Sequence, residues 1–248
     1  MRPPRFSLSA ALALGLLFLA PACRADEAAP AEGAGDLPEL GLMGTIPIYW
    51  GESGDFGELL AGGSEAHWAR ARLESDYRLR PLDALSAENL AGLDLLVLAQ
   101  PRPLSPAENV ALDAWVRAGG RVLLFADPML TGESRFAIGD RRRPQDVILL
   151  SPILTHWGLE LAFDDSGPAG FVAIPGPGAP IPVNLPGSLT VREGEGECRI
   201  IAADVLAACS IGTGSAIVLA DAAMLDLHDP HPAAESALGW LLREASGE

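Results

Sequence analysis

"DLLVLAQPRPLSPAENVALDAWVRAGGRVLLFADP", residues 94–128, decides how this chain folds. Its opening run, 94–99, is unbroken and apolar, as expected of a strand covered on both faces. A helix start follows. Ser105 stands at the N-cap, Pro106 at the first helical position, and Glu108 completes a Ser-x-x-Glu capping box. Val110, Ala111, Ala114 and Ala118 recur on one helical face, with Leu112, Trp115 and Val116 on its flank. Gly119-Gly120 ends the helix, and "RVLLFADP" (121–128) reads as a second buried strand. Two buried strands joined through one helix run parallel with a right-handed crossover. The expected fold class is therefore α/β, with a doubly wound, mostly parallel sheet.

Outward from this unit the alternation continues. "TIPIYW" (45–50) reads as the first strand, 64–75 as a helix and "YRLRPL" (77–82) as an edge strand. Beyond Pro128 a polar loop (132–146) leads to a helix (147–158) and a strand (159–163). Residues 164–211 read as a hairpin-rich insertion, 215–221 as another apolar strand, and a last helix from His231-Pro232 buries Leu238, Leu241 and Leu242. "VLLFADPML" (122–130) and "IVLADAAML" (217–225) echo each other, each ending an apolar strand in Ala-Asp. They read as equivalent strand-to-loop corners.

The first 22 residues have the marks of an export signal. Arg2 and Arg5 precede an apolar run (10–20), and "APA" (20–22) offers small residues for cleavage before Cys23. "LAPAC" is similar to a lipobox, which would make Cys23 a lipidation site and anchor the protein; ordinary cleavage near Ala22 or Ala25 is the alternative. Residues 23–44, acidic and rich in Ala, Gly and Pro, read as a flexible linker to a single domain over 45–248. The expected location is the periplasm. There an oxidising milieu permits a disulfide between Cys198 and Cys209, which a two-residue turn at Ala203-Asp204 would bring face to face; two buried thiols are the alternative.

The formal charge is −16, and all 17 basic residues are arginine. Such a surface repels phosphate backbones, so nucleic acid is not an expected partner. No cofactor is expected either. "SIGTGSA" (210–216) lacks the lysine of a phosphate-binding loop and reads as a tight turn. "DLHDPHP" (226–232) gathers Asp and His without a recognised metal spacing, and a solvated loop explains it equally well.

In an open α/β sheet, ligands and catalytic groups sit at the carboxyl ends of strands. There the chain offers Trp50 and Glu52, then Gln100 and Arg102, then Asp127, with Asp221 after the late strand. Arg141, Arg142 and Arg143 in the following loop could reach the same rim and grip anions. Read as a binding site, Gln100 supplies amide hydrogen bonds, Trp50 stacking and the arginines anion recognition. Read as corners, the aspartates cap turns and the arginines pair with local acids. Gln and Pro occupy the corner after 94–99 where a nucleophile would be needed, and no Gly-x-Ser-x-Gly occurs. An enzyme would have to be a hydrolase of envelope glycan or peptide using Glu52, Asp127 or Asp221 as acid and base.

The order and spacing of "LDLLVLAQPRPLSPAENVALDAWVRAGGRVLLFADPML" (93–130), "ILTHWGLEL" (153–161) and "GTGSAIVLADAAML" (212–225) resemble the auxiliary domain of uncharacterised ABC-type transport systems, found in GldG-like gliding-motility proteins. The resemblance implies a glutamine amidotransferase-like or flavodoxin-like fold lacking the catalytic cysteine, a non-enzymatic role, and ABC transporter membrane components as partners.

Overall fold

The computed structural model describes residues 37–52, 67–166, 169–227 and 232–248. The export signal, Cys23 and most of the linker lie outside these residues, as do His228, Asp229 and His231.

Eleven described strands occur. Seven form one mixed sheet in the order β2-β1-β3-β4-β11-β10-β9, where β1 is Glu39–Gly44, β2 Arg78–Pro81, β3 Leu95–Ala99, β4 Arg121–Phe125, β9 Glu197–Ala202, β10 Leu206–Ile211 and β11 Gly214–Leu219. The pairs β2–β1, β1–β3, β3–β4 and β4–β11 are parallel, while β10 and β9 run antiparallel at one edge. Every residue of β3 is buried, as its apolar run requires. Because the register aligns Gly44 with Ala99, Ala99 with Phe125, and Phe125 with Leu219, four parallel strand ends share one rim.

The first strand is not "TIPIYW" but Glu39–Gly44, inside the stretch read from sequence as linker. Its glycines hid it. A Cβ at Gly41 would press on Leu93 Cδ1, and one at Gly44 would overlap the Ala99 carbonyl, so close strand approach demands residues of poor strand propensity. Residues 45–50 instead turn the chain, burying Ile46 and Ile48, with Pro47 unable to donate to a ladder.

Helices α1 (Trp68–Glu74), α2 (Ala87–Leu90), α3 (Pro106–Arg117), α4 (Ser151–Trp157) and α5 (Pro232–Ser246) fall into two packing groups. α3 contacts α2, α4 and β11, whereas α5 contacts α1, β4 and β11. The capping box of α3 is present as expected. Its buried face is not: Glu108, Leu112 and Val116 point inward, while Val110 is 70 % exposed. Leu112 and Val116 of the expected flank fill the core, Ala111 and Trp115 pack partly buried against it, and Ala114 and Ala118 face outward. α5 buries Leu238, Leu241 and Leu242. No described helix is long and apolar enough to cross a membrane.

The expected hairpin-rich insertion over 164–211 resolves differently. β9 and β10 extend the main sheet, while β5 (Leu159–Ala162) pairs with β8 (Ser188–Val191), and β6 (Val172–Ile174) with β7 (Ile181–Val183), in two small antiparallel sheets. Cys198 and Cys209 are disulfide-bonded. Their pairing arises by a different turn from the one expected: Ala202 opposes Leu206 across three residues, with Ala203 left-handed at φ 44°, and a bulge after Leu206 restores the register that sets Cys209 opposite Cys198. "SIGTGSA" is the tight turn expected, joining β10 to β11 through Gly212 at φ 61°.

The bond closes a short loop on an edge strand. Replacing both cysteines by serine should lower unfolding stability by about 2–4 kcal/mol in a denaturant titration, with the fold retained.

Candidate functional site

The rim is organised by Gln100. Its backbone is left-handed, at φ 49°, at the corner after β3, and its side chain is fully buried. Nε2 donates to the carbonyl oxygens of Asp127 and Gln145, both at 2.9 Å, and Oε1 accepts from Asp127 N at 2.8 Å. The Gln100 carbonyl accepts from Thr45 N at 3.0 Å and from Thr45 Oγ1 at 2.6 Å, and that hydroxyl oxygen accepts from Gln145 N at 2.9 Å. Gln100 therefore ties the ends of β1, β3 and β4 to the following loop. Both amide protons are consumed, so the expected role in binding a ligand's amide is corrected: the side chain is a clamp.

Asp127 and Asp221 lie at neighbouring strand ends, as the sequence echo anticipated, and both are fully buried. Each caps its own corner. Asp127 Oδ1 accepts from Met129 N at 2.7 Å and Asp221 Oδ1 from Ala223 N at 2.9 Å. The second oxygens reach across, Asp127 Oδ2 to Ala222 N at 3.1 Å and Asp221 Oδ2 to Asn184 N at 2.9 Å. Burial pushes Asp127 up to about 6 and, aided by repulsion from Asp127, raises Asp221 well above the ordinary carboxylate value. These are the corners of the second reading, with their oxygens turned inward.

Arg102 is also engaged internally. It grips Glu108 through two hydrogen bonds, at 2.7 and 3.0 Å, and donates to the Asp83 carbonyl at 2.8 Å. Glu108 meanwhile accepts from Ser105 N and Leu85 N. The Arg102 guanidinium, with these donors, holds Glu108 down at about 2. Its expected role in anion recognition gives way to locking the start of α3.

Of the remaining expected residues, Glu52 accepts from Ser134 Oγ at 2.7 Å and Arg135 N at 3.1 Å, pinning the 132–146 loop to the rim. Arg142 pairs with Asp140 at 2.7 Å and covers the Phe136 ring, and Arg143 pairs with Asp146 at 3.2 Å. Arg141 is exposed. Trp50 lies beyond the first strand rather than at its end, 60 % exposed and edge-on to Tyr49 with ring centroids 4.7 Å apart.

A cavity of about 250 Å³ opens where these corners meet the β6–β7 sheet, lined by residues including Thr131, Gly132, Glu133, Phe171, Asn184 and Asp226. Asp226 is half-buried. Burial, then repulsion from Glu52 and Asp127, pushes its carboxyl up to about 7. Sequence reading had placed Asp226 only in the His-Asp cluster, and nothing local marked Asn184 or Phe171 as its neighbours. Among the described residues no group of acids, histidines and cysteines is gathered to hold a metal. A larger groove of about 640 Å³, lined mainly by apolar residues such as Val147, Leu154 and Phe163, runs beside β5.

The structure is a mostly parallel α/β domain that gathers its polar corners on one rim, with Gln100 at the β3 corner. Residues 38–165 match the family described as ABC-type uncharacterized transport system, and the chain belongs to that family. The match begins just before β1, in agreement with the strand found there. No curated protein matches the chain. Among solved structures, the mmIFT52 N-terminal domain is similar at 15 % identity and TM-score 0.52, over 84 % of this chain and 97 % of that one. A β-galactosidase from Rahnella is similar at 14 % identity and TM-score 0.47, over 84 % of this chain and 31 % of the enzyme. A ThuA-like protein from Bacteroides uniformis is similar at 9 % identity and TM-score 0.47, over 87 % and 94 %. The first shares the fold.

Two outcomes are expected. Gln100→Ala leaves the buried Asp127 N–H and the part-buried Gln145 carbonyl without this partner, while the Asp127 carbonyl keeps Ile148 N, and should cost about 2–4 kcal/mol in a denaturant titration. Folded Asp226 keeps its proton to about 7, whereas the unfolded chain releases it near 4, roughly. Folding thus takes up a proton within that window, and this contribution to stability is lost as pH rises through it. Asp226→Asn should flatten the decline of Tm between about pH 4 and 7; an unchanged slope would contradict the shift.

Proposed function

We propose that this protein is an exported, non-enzymatic auxiliary domain of an ABC-type transport system that works by recognition at the rim of its sheet. Membership of the transport family supports the system. The disulfide is compatible with an oxidising compartment. The observation that carries the non-enzymatic reading is Gln100: a left-handed corner at the end of a central strand, where a nucleophile elbow would present its reactive atom, is filled by an amide wholly engaged with backbone. The strand order β2-β1-β3-β4 continued by β11 is that of flavodoxin-like sheets, and the two helix groups suit a sheet covered on both faces, which supports an amidotransferase-like scaffold without its cysteine. Trp50, edge-on to Tyr49 yet 60 % exposed, and the exposed Arg141 are the groups this reading offers to a partner, the membrane components of the transporter.

Hydrolysis remains as a second reading on one observation, that Asp226 and Glu133 line the same cavity and Asp226 holds its proton to about 7.

The test is co-purification from solubilised native envelope. Wild type should recover ABC transporter subunits, and a Trp50→Ala/Arg141→Glu variant should recover about tenfold less, the loss expected when hot-spot contacts are removed. Recovery of no membrane component, or turnover of envelope glycan or peptide that Asp226→Asn abolishes, overturns the proposal.

A further inference from the structure

We infer that the cavity between the β4 and β11 corners and the β6–β7 sheet is a binding site for a small organic cation, an alkylamine or ammonium group. This rests on the recognition reading above and names the ligand class of the rim. Three features of the cavity converge on a cation.

First, the carboxylate of Asp226 accepts no hydrogen bond from any described residue, unlike those of Asp127 and Asp221 on the same rim, each of which accepts two. The other two acids serve the fold through those bonds, and among the described residues this one receives none. Second, Gly132 lies against it, and a side chain there would displace the Asp226 carboxylate. The loop approaches without a Cβ, which lets the carboxylate sit in the cavity wall. Third, the lining adds an aromatic ring, Phe171, and a second acid, Glu133, to the polar side chains of Asn184 and Thr131. A carboxylate and an aromatic ring lining one half-dry cleft are the combination that holds an ammonium group, by charge and by cation–π attraction.

The same features disfavour an inorganic ion. Calcium takes about six to eight oxygen ligands, and the described residues gather no cluster of that kind. Asn184 is already occupied, its Nδ2 donating to Thr131 Oγ1 at 2.7 Å and its Oδ1 accepting from Gly170 N at 2.9 Å. A volume of about 250 Å³ suits a ligand smaller than a drug-sized molecule. An anion is opposed by Glu133 and Asp226 together, and by the nearby Glu52, Asp127 and Asp146, with Arg143 acting in the opposite sense on Asp226. A bound ammonium offsets that repulsion, so it binds best to ionised Asp226.

The experiment is calorimetric titration of the full chain with propylammonium chloride, beside neutral n-propanol and calcium chloride. Saturable binding of propylammonium at about millimolar concentration or tighter is expected, without saturation by the alcohol. Asp226→Asn should weaken it about tenfold or more, Phe171→Leu several-fold, and affinity should rise between about pH 5.5 and 8. Gly132→Ala, which displaces the carboxylate, gives the same loss by a second route if Asp226→Asn does not fold. Equal binding of n-propanol, tighter binding of calcium, no saturation by about 100 mM, or full affinity in both variants overturns the inference. Failure here with co-purification intact removes the amine and leaves the transport reading; the converse removes only the transporter.

Discussion

The Gln100 side chain, together with its left-handed backbone, is the interaction on which the rim depends. Three parallel strands end at adjacent positions, and each must release its chain in a different direction without leaving buried peptide groups unpaired. One amide does this for Asp127 and Gln145, while the carbonyl of the same residue anchors Thr45. A left-handed non-glycine residue costs about 1 kcal/mol or more, and the network around it keeps it there. Glutamine suits the position because it is a donor and an acceptor at once and carries no charge into a fully buried site.

Electrostatics divides the acids of this protein into two kinds. Glu108 lies against Arg102 and a helix N-terminus, so its charge is stabilised and its proton leaves early. Asp127, Asp221 and Asp226 crowd one rim with little compensating charge, so burial raises all three, helped by repulsion from Asp127 at Asp221 and from Glu52 and Asp127 at Asp226. The parallel sheet causes this crowding, because it delivers the ends of β4 and β11 side by side. Asp127 and Asp221 recover part of the cost through backbone N–H donors. Asp226 does not, and that difference separates the structural corners from the cavity.

Much of this was legible in the sequence, unevenly. The β3–α3–β4 unit was plain because its signals are local: an apolar run, a capping box and paired glycines. The Ala-Asp echo correctly marked equivalent corners. β1 was not legible, because Gly41 and Gly44 are there to admit neighbouring atoms and their composition imitates a linker. The α3 face was misread because periodicity alone gives alanine the same weight as leucine, whereas burial follows apolar area. The cysteine pair was placed correctly although the turn was one residue longer, since the bulge after Leu206 compensates.

The sequence by itself determined the alternation of strands and helices, the parallel core, the opposition of Cys198 and Cys209 and the absence of a nucleophile at the β3 corner, because each follows from residues close together in the chain. Only the tertiary structure decided what Gln100, Arg102 and Asp127 do, and that Asp226, Gly132 and Phe171 line one cavity. The physical reason is that a polar side chain's role depends on which partners consume its donors and acceptors. Here those partners lie up to 95 residues away in sequence, as Ala222 does from Asp127.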